Sequence, residues 1–113
     1  MTLELRRVIL FTPNLESMTA FYRDVLRLPV TTREPGWVEF AAGGCGLALH
    51  TGKSEVGKRP PKLAFFSSDV AATRALLIGR GLVDAGPVKS AGQFAMCDCR
   101  DPDGNLFQIS GRV

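Results

Sequence analysis

The sequence predicts an α+β domain of two tandem βαβββ units, whose eight strands form one curved mixed sheet, a cup, with the helices on the outside. Three observations carry that prediction. Sliding the chain by 55 residues lays "RVILFTPNLESMTAFY", from Arg7, over "KLAFFSSDVAATRALL", from Lys62, without a gap. In each copy an apolar run meets a polar residue that can cap a helix, and helical spacing follows. Three strand-like pieces with turn punctuation then complete each half. A unit of this size has one helix and cannot cover both faces of its own sheet, so two units must share their open faces.

The first unit runs over about residues 1–52. Its opening strand is "RVILFT", with Val8 and Leu10 toward the helix and Ile9 and Phe11 toward the cup. Asn14 is the expected N-cap, accepting an amide hydrogen of the helix start. Leu15, Met18, Tyr22, Val25 and Leu26 then recur at helical spacing. "LPVTTRE", "WVEFAA" and "CGLALHT" read as strands, separated by Pro35-Gly36 and Gly43-Gly44. Residues 53–61, within "TGKSEVGKRPP", have the glycine, proline and charge of an exposed connection.

The second unit, about residues 62–113, repeats the plan. Asp69 is the expected cap, with Ser68 a neighbouring alternative, and Val70, Thr73, Leu76 and Leu77 form a weaker helical stripe ended by Gly79 and Gly81. "LVDAGPV", "QFAMCDC" and "NLFQISG" read as its strands. The last follows the turn Asp101-Pro102-Asp103-Gly104, where proline presets φ and glycine accepts a positive φ. Gln108 is the single polar residue at the middle of that apolar strand.

Length and composition limit what such a chain can do. Its 113 residues, 45% of them apolar, support one modest core. No window approaches the roughly 18 uninterrupted apolar residues of a membrane span, and "MTLELRRVIL" lacks the pattern of a secretion signal, so a cytoplasmic protein without membrane partners is expected. The net charge of +3 comes from 14 basic and 11 acidic residues without a basic stripe, which argues against a nucleic-acid partner. Cys45, Cys97 and Cys99 are odd in number, and the last two project the same way along a strand, so reduced thiols are expected. Gly-rich phosphate loops, nucleophile elbows and His-Glu-x-x-His helices are all lacking.

The duplicated βαβββ pattern, together with "LESMTAFYRDVLRLPV" and "DPDGNLFQI", resembles the vicinal oxygen chelate superfamily, which includes glyoxalase I, extradiol dioxygenases, fosfomycin-resistance enzymes and bleomycin-resistance proteins. The resemblance covers nearly the whole chain. It implies that metal-dependent members place a histidine or similar ligand on the first strand of each half and a glutamate on the last strand. Aligned to that pattern, the three positions here are Arg7, Lys62 and Gln108. Arginine has no lone pair to give, lysine gives one only after losing a proton, and an amide oxygen binds metal more weakly than a carboxylate. No metal and no other cofactor is therefore expected there, and Gln108 is expected to face the cup as an unused ligand position.

The leading reading is a metal-free binding protein, similar to the bleomycin-resistance branch. Its cup would be lined by Ile9, Phe11, Trp37, Phe40, Phe94 and Gln108, with Arg7 and Lys62 supplying positive charge for an anionic or aromatic small molecule. Glu39 shares a strand face with Trp37 and is the expected partner of Arg7 in an empty cup. Other placements stay open: a one-residue slip would turn Arg7 to solvent, and Lys62 is either a cup residue or the end of the connection. His50 is a surface histidine or an acid/base group, Trp37 a ligand wall or a dimer-rim residue, and Cys97 and Cys99 core residues or soft metal ligands. Two alternatives accompany the leading reading. One is a metal-dependent lyase or dioxygenase with a relocated site drawn from His50, Glu39, Asp98 and the cysteines; the other is an interaction module with a filled cup. A symmetric homodimer is the expected assembly, since open sheet edges need covering.

Overall fold

The computed structural model describes residues 1–113. The chain divides into two compact units, Met1–Glu55 and Val56–Val113, and the division falls inside the expected connection.

In the first unit, β1 (Arg7–Thr12) leads into α1 (Leu15–Ala20), followed by β2 (Val30–Glu34), β3 (Trp37–Ala42) and β4 (Cys45–Thr51). The sheet order is β1-β4-β3-β2, with β1 parallel to β4 and the other pairs antiparallel. Helical spacing from Leu15 predicts one continuous α-helix, but its second half, Phe21–Val25, is wound as a π-helix. Arg27 then reverses the chain at φ +59, a left-handed conformation uncommon outside glycine. Met18, Phe21, Tyr22 and Val25 are buried on the helical side and Val38, Phe40 and Leu49 on the sheet side, with the Tyr22 and Phe40 ring centroids 6.0 Å apart. Phe40 is thus a core residue. Alternation along β3 sends it to the face opposite Trp37 and Glu39, so it does not line the open face with them.

The second unit comprises β5 (Leu63–Phe66), α2 (Val70–Gly79), β6 (Asp84–Ala85), β7 (Lys89–Ala91), β8 (Phe94–Arg100) and β9 (Leu106–Ser110). β5 runs parallel to β9, β9 pairs antiparallel with β8, and β6 and β7 both pair with β8. Where one strand is expected over "LVDAGPV", two short ones occur. Pro87 has no N–H for the ladder, and the Gly86 N–H is turned onto the Asp98 carbonyl at 2.8 Å, so close that a Cβ at Gly86 would meet that oxygen at 2.8 Å. Nine strands therefore form a four-stranded and a five-stranded sheet in place of a single eight-stranded one. Val70, Leu77, Leu82, Cys97, Cys99, Phe107 and Ile109 make the core, whereas Leu76, expected on the buried stripe, is about half exposed.

The helix starts also differ from expectation. Asp69 caps α2 as its sequence suggests, accepting from the Ala72 N–H at 3.0 Å. Asn14 gives α1 no side-chain cap. A hydroxyl two residues earlier is common to the two helices: Thr12 Oγ1 accepts from the Asn14 N–H at 2.9 Å, and Ser67 Oγ accepts from the Asp69 N–H at 3.1 Å. Thr12 and Ser67 are repeat partners, so this local hydrogen-bonded turn is a duplicated device for leaving the strand.

Phe40→Ala should cost about 3–5 kcal/mol in urea unfolding, the range for emptying a buried aromatic site. A loss below about 1 kcal/mol would place the ring outside the core.

Candidate functional site

Each sheet has one face packed under its helix and one face left open, and the polar residues singled out above sit on the open faces. In the first unit the strand registers build that face row by row. Arg7 lies beside Gly46, Ile9 beside Ala48 and then Glu39, and Phe11 beside His50 and then Trp37. The structure thus brings Arg7, Ile9, Phe11, Trp37 and Glu39 onto one surface, with Ile9 and Phe11 about half exposed.

Arg7 meets Glu39 through a single nitrogen. Its Nε–H is shared by Oε1 and Oε2 of Glu39, each at 3.1 Å, while Nη1 and Nη2 have no protein partner. The carboxylate is the more buried member, with a side chain 14% exposed against 40% for Arg7. Gly46 is the reason it fits: a Cβ there would fall on Glu39 Oε2. The result is a guanidinium held at its root, with a planar fork of four N–H donors on Nη1 and Nη2 that no protein group engages, on a side chain 40% exposed. Two rows along from Arg7 and Gly46, the His50 ring stands edge-on between Phe11 and Trp37, with centroids 5.4 and 5.8 Å away. His50 Nδ1 lies 2.9 Å from the Thr51 carbonyl, which can only accept, so Nδ1 carries the proton. An open concavity of about 510 Å³ borders Arg6, Glu39, Cys45 and Gly46 but none of the three aromatic residues.

The second unit repeats the arrangement with different chemistry. Ala64 lies beside Gln108, which lies beside Asp98, the same positions that Ile9, Ala48 and Glu39 hold in the first sheet. Lys62 gives its ammonium to both oxygens of Asp98, at 3.1 and 3.0 Å. Gln108 donates from Nε2 to Asp98 Oδ1 at 3.0 Å and approaches Met96 Sδ at 3.6 Å. Partial burial pushes the Asp98 carboxyl up, but the hydrogen bonds from Gln108 and Lys62 and the Lys62 charge outweigh it and hold the group below its ordinary value of 3.8. Phe94 shares this face and carries the Arg112 guanidinium 5.5 Å above its ring.

The family's metal positions therefore hold two cations already engaged by carboxylates and an amide whose N–H is committed to Asp98. Ala48, which holds in the first sheet the position that Gln108 holds in the second, offers no donor. No three His, Cys, Asp or Glu side chains gather anywhere that could hold an ion. These residues do not make a divalent-cation site. Cys97 and Cys99 point into the core, 3.7 Å apart, and both are fully buried. Burial first, and then the Cys97 hydrogen bond, push the Cys99 thiol up to about 12.

Three participants are not visible in the sequence pattern. Asp98 as the partner of Lys62 is hidden because the constant offset of 55 pairs Glu39 with Phe94; the longer route through β6 and β7 displaces everything after it. Gly46 and Ala48 have no side chain that signals a role. The strand ladders identify them: Asp98 is paired with Gln108 in the second sheet, and Gly46 and Ala48 lie beside Arg7 and Ile9 in the first.

A family model described as Glyoxalase/Bleomycin resistance protein/Dioxygenase superfamily matches residues 4–109. The chain belongs to that superfamily. Its fold is similar to a lactoylglutathione lyase from Agrobacterium tumefaciens, with 21% identity, 95% of this chain and 92% of that one covered, and a TM-score of 0.76. It is also similar to an integron cassette protein from the mobile metagenome of the Halifax Harbour sewage outfall, with 16% identity, 96% and 98% coverage, and a TM-score of 0.80. A third similar structure is a glyoxalase/bleomycin resistance protein/dioxygenase family enzyme from Burkholderia phytofirmans, with 18% identity, 96% and 98% coverage, and a TM-score of 0.79. No curated protein sequence matches the chain significantly. At these identities the likeness establishes fold. No helix is long and apolar enough to cross a membrane.

The folded-state value of Asp98 is depressed, so its stabilisation is present above the ordinary carboxylate value and is lost as pH falls through the folded one. Acid unfolding of Asp98→Asn should therefore lose part of the wild-type pH dependence below about pH 4, and an unchanged profile would contradict the network. A disulfide-exchange reagent at about pH 8 should modify the partly exposed Cys45 in the native protein and all three thiols only after unfolding. Rapid modification of Cys97 or Cys99 in the native state would contradict their burial.

Proposed function

We propose that this protein binds a small organic anion on the open face of its first unit, without a metal ion, and performs no chemistry that needs one. One observation supports the reading above the rest: Arg7 is half exposed and fixed through Nε alone, so its Nη1 and Nη2 edge is oriented and unpaired. Such an edge suits a carboxylate or phosphate, which accepts two parallel N–H bonds. Glu39 need not be displaced, because it occupies the other side of the guanidinium. In the second unit Lys62 is engaged by Asp98 and the Phe94 ring carries Arg112, so under this reading a ligand there would meet the Gln108 amide oxygen, the free acceptor, with Lys62 and Phe94 only at its margin. The working assembly under this reading is a symmetric homodimer. Strand β2 ends the first sheet with four of its five residues exposed, and a second copy is the natural cover for such an edge.

The test is a thermal-shift titration with small carboxylates and phosphates against their neutral amides, on protein purified without chelator and assayed for metals. Acids should raise Tm in a concentration-dependent way, as mass action requires. Arg7→Ala should weaken the acids by about 2 kcal/mol or more and leave the amides nearly unchanged. Equal losses for acids and amides, or a stoichiometric divalent ion bound at Gln108, would overturn the reading. Light scattering that gives about the 12.2 kDa of one chain across micromolar concentrations would overturn the dimer.

A further inference from the structure

We infer that the outer face of α2 is a self-association surface, on which a second copy of this chain packs its own α2 in antiparallel. The two units supply the comparison. The offset of 55 sets Glu16, Arg23 and Asp24 of the first unit against Ala71, Ile78 and Gly79 of the second, and all six are exposed. The same outward positions are charged in one unit and uncharged in the other. Within Val70–Gly79 the one charged residue is Arg74, and it is turned back toward the split strand, donating from Nε to the Gly86 carbonyl at 2.7 Å and from Nη2 to the Ala85 carbonyl at 3.3 Å. Leu76 and Ile78 are left 52% and 43% exposed on a face without an outward charge. A helix with one side in water ordinarily keeps its charged residues there, so a face of this composition marks a contact.

Charge and shape along the face select the occupant. Helical spacing puts Asp69, Leu76 and Arg80 on one flank, Ala72, Ala75 and Gly79 along the middle, and Ala71 and Ile78 on the other flank. Asp69 precedes the helix and Arg80 follows it, so an antiparallel pair brings each Asp69 beside the Arg80 of the other copy. A parallel pair would set like charge against like. Antiparallel pairing also opposes the two helix dipoles. Exposed ion pairs add little affinity, and their effect here is to fix direction. Shape agrees with charge: alanines occupy the N-terminal half of the face and the larger Leu76 and Ile78 the C-terminal half, so a two-fold axis near Ala75 sets the broad half of each helix against the narrow half of the other. Helix α1 offers no such match, because Arg23 and Asp24 are adjacent and bond each other at 2.8 Å. The contact is independent of the anion reading and of the β2 edge, and a chain that uses both two-fold contacts assembles beyond a dimer.

The test is light scattering of the whole protein across micromolar concentrations. The wild-type chain should give at least twice the 12.2 kDa of one copy. The double variant Leu76→Glu, Ile78→Glu gives α2 the kind of outward charge that α1 carries, and should halve the assembled mass, to one copy or, where the β2 contact also holds, to two. Both positions are exposed, so its thermal unfolding should stay near that of the wild type. Should the double variant fail to fold, cysteine cross-linking in a Cys45→Ser background decides the point. Ala75→Cys should link to its own copy on mild oxidation, because the axis passes beside it. Ala71→Cys should not, since antiparallel pairing separates the two copies of that position by about 12 Å along the axis. A link at position 71 would overturn the antiparallel arrangement. An unchanged mass in the double variant, or no link at position 75, would overturn the surface and leave the β2 contact as the interface, and a wild-type mass of one copy would overturn both.

Discussion

Glu39 lies across Gly46 because glycine leaves room for a carboxylate there, and this placement governs what Arg7 can do. A larger residue would lift the carboxylate off the sheet and release the guanidinium to solvent. With Glu39 seated, Arg7 is held on the face of the sheet by Nε and keeps its outer edge available. An exposed ion pair of this kind contributes little to stability, on the order of 0.2–1 kcal/mol. Its consequence is orientation. A pre-positioned fork loses less side-chain freedom when it takes a ligand than a free arginine would.

The second unit shows what the same scaffold does when that geometry is absent. Lys62 stands where Arg7 stands and Asp98 where Glu39 stands, but a lysine has one nitrogen, and Asp98 takes it with both oxygens. Gln108 adds a further donor to the same carboxylate. The ion pair is thereby closed, a small self-satisfied network of the sort that rigidifies a surface. Duplication has produced two equivalent positions, and the difference between a guanidinium and an ammonium makes one open and the other complete. The same residues account for the poor fit to a metal: where metal-dependent members of the superfamily need strong electron-pair donors, this chain has two cations and an amide, with an alanine at the amide's counterpart position in the first unit.

Much of this architecture is legible in the sequence because repetition amplifies weak signals. Neither strand–cap–helix passage would be decisive alone, but the match of Arg7 to Lys62, Phe11 to Phe66 and Asn14 to Asp69 shows both units at once. Alternation along β1 correctly turns Arg7, Ile9 and Phe11 together, and alternation along β3 places Trp37 with Glu39. The same alternation puts Phe40 one residue out of phase, and the cup lining expected from the sequence is wrong to include it. What the sequence hides is tertiary or local: the π-helical turn at Phe21–Val25, the hydroxyls of Thr12 and Ser67 that accept from the N–H groups of Asn14 and Asp69, and the split at Gly86-Pro87. Each depends on a hydrogen bond whose partner is fixed only by the fold. The Asp98 pairing is hidden for a simpler reason, since an insertion between α2 and β8 breaks the constant offset on which repeat matching relies.

Everything proposed for the first unit depends on Arg7 being bound by Glu39 at Nε and open at Nη1 and Nη2, with a ligand using the open edge and leaving the bound one undisturbed. Nitrogen-15 NMR of the arginine side chains measures this directly, with Arg7 assigned by substitution. The Arg7 Nε–H should exchange slowly in the free protein and keep its shift when a small carboxylate is added, while its Nη resonances, averaged by rotation beforehand, separate as the acid locks the fork. A large Nε shift on adding the acid, or rapid Nε–H exchange before it, would show that Glu39 does not hold Arg7 and would contradict the account.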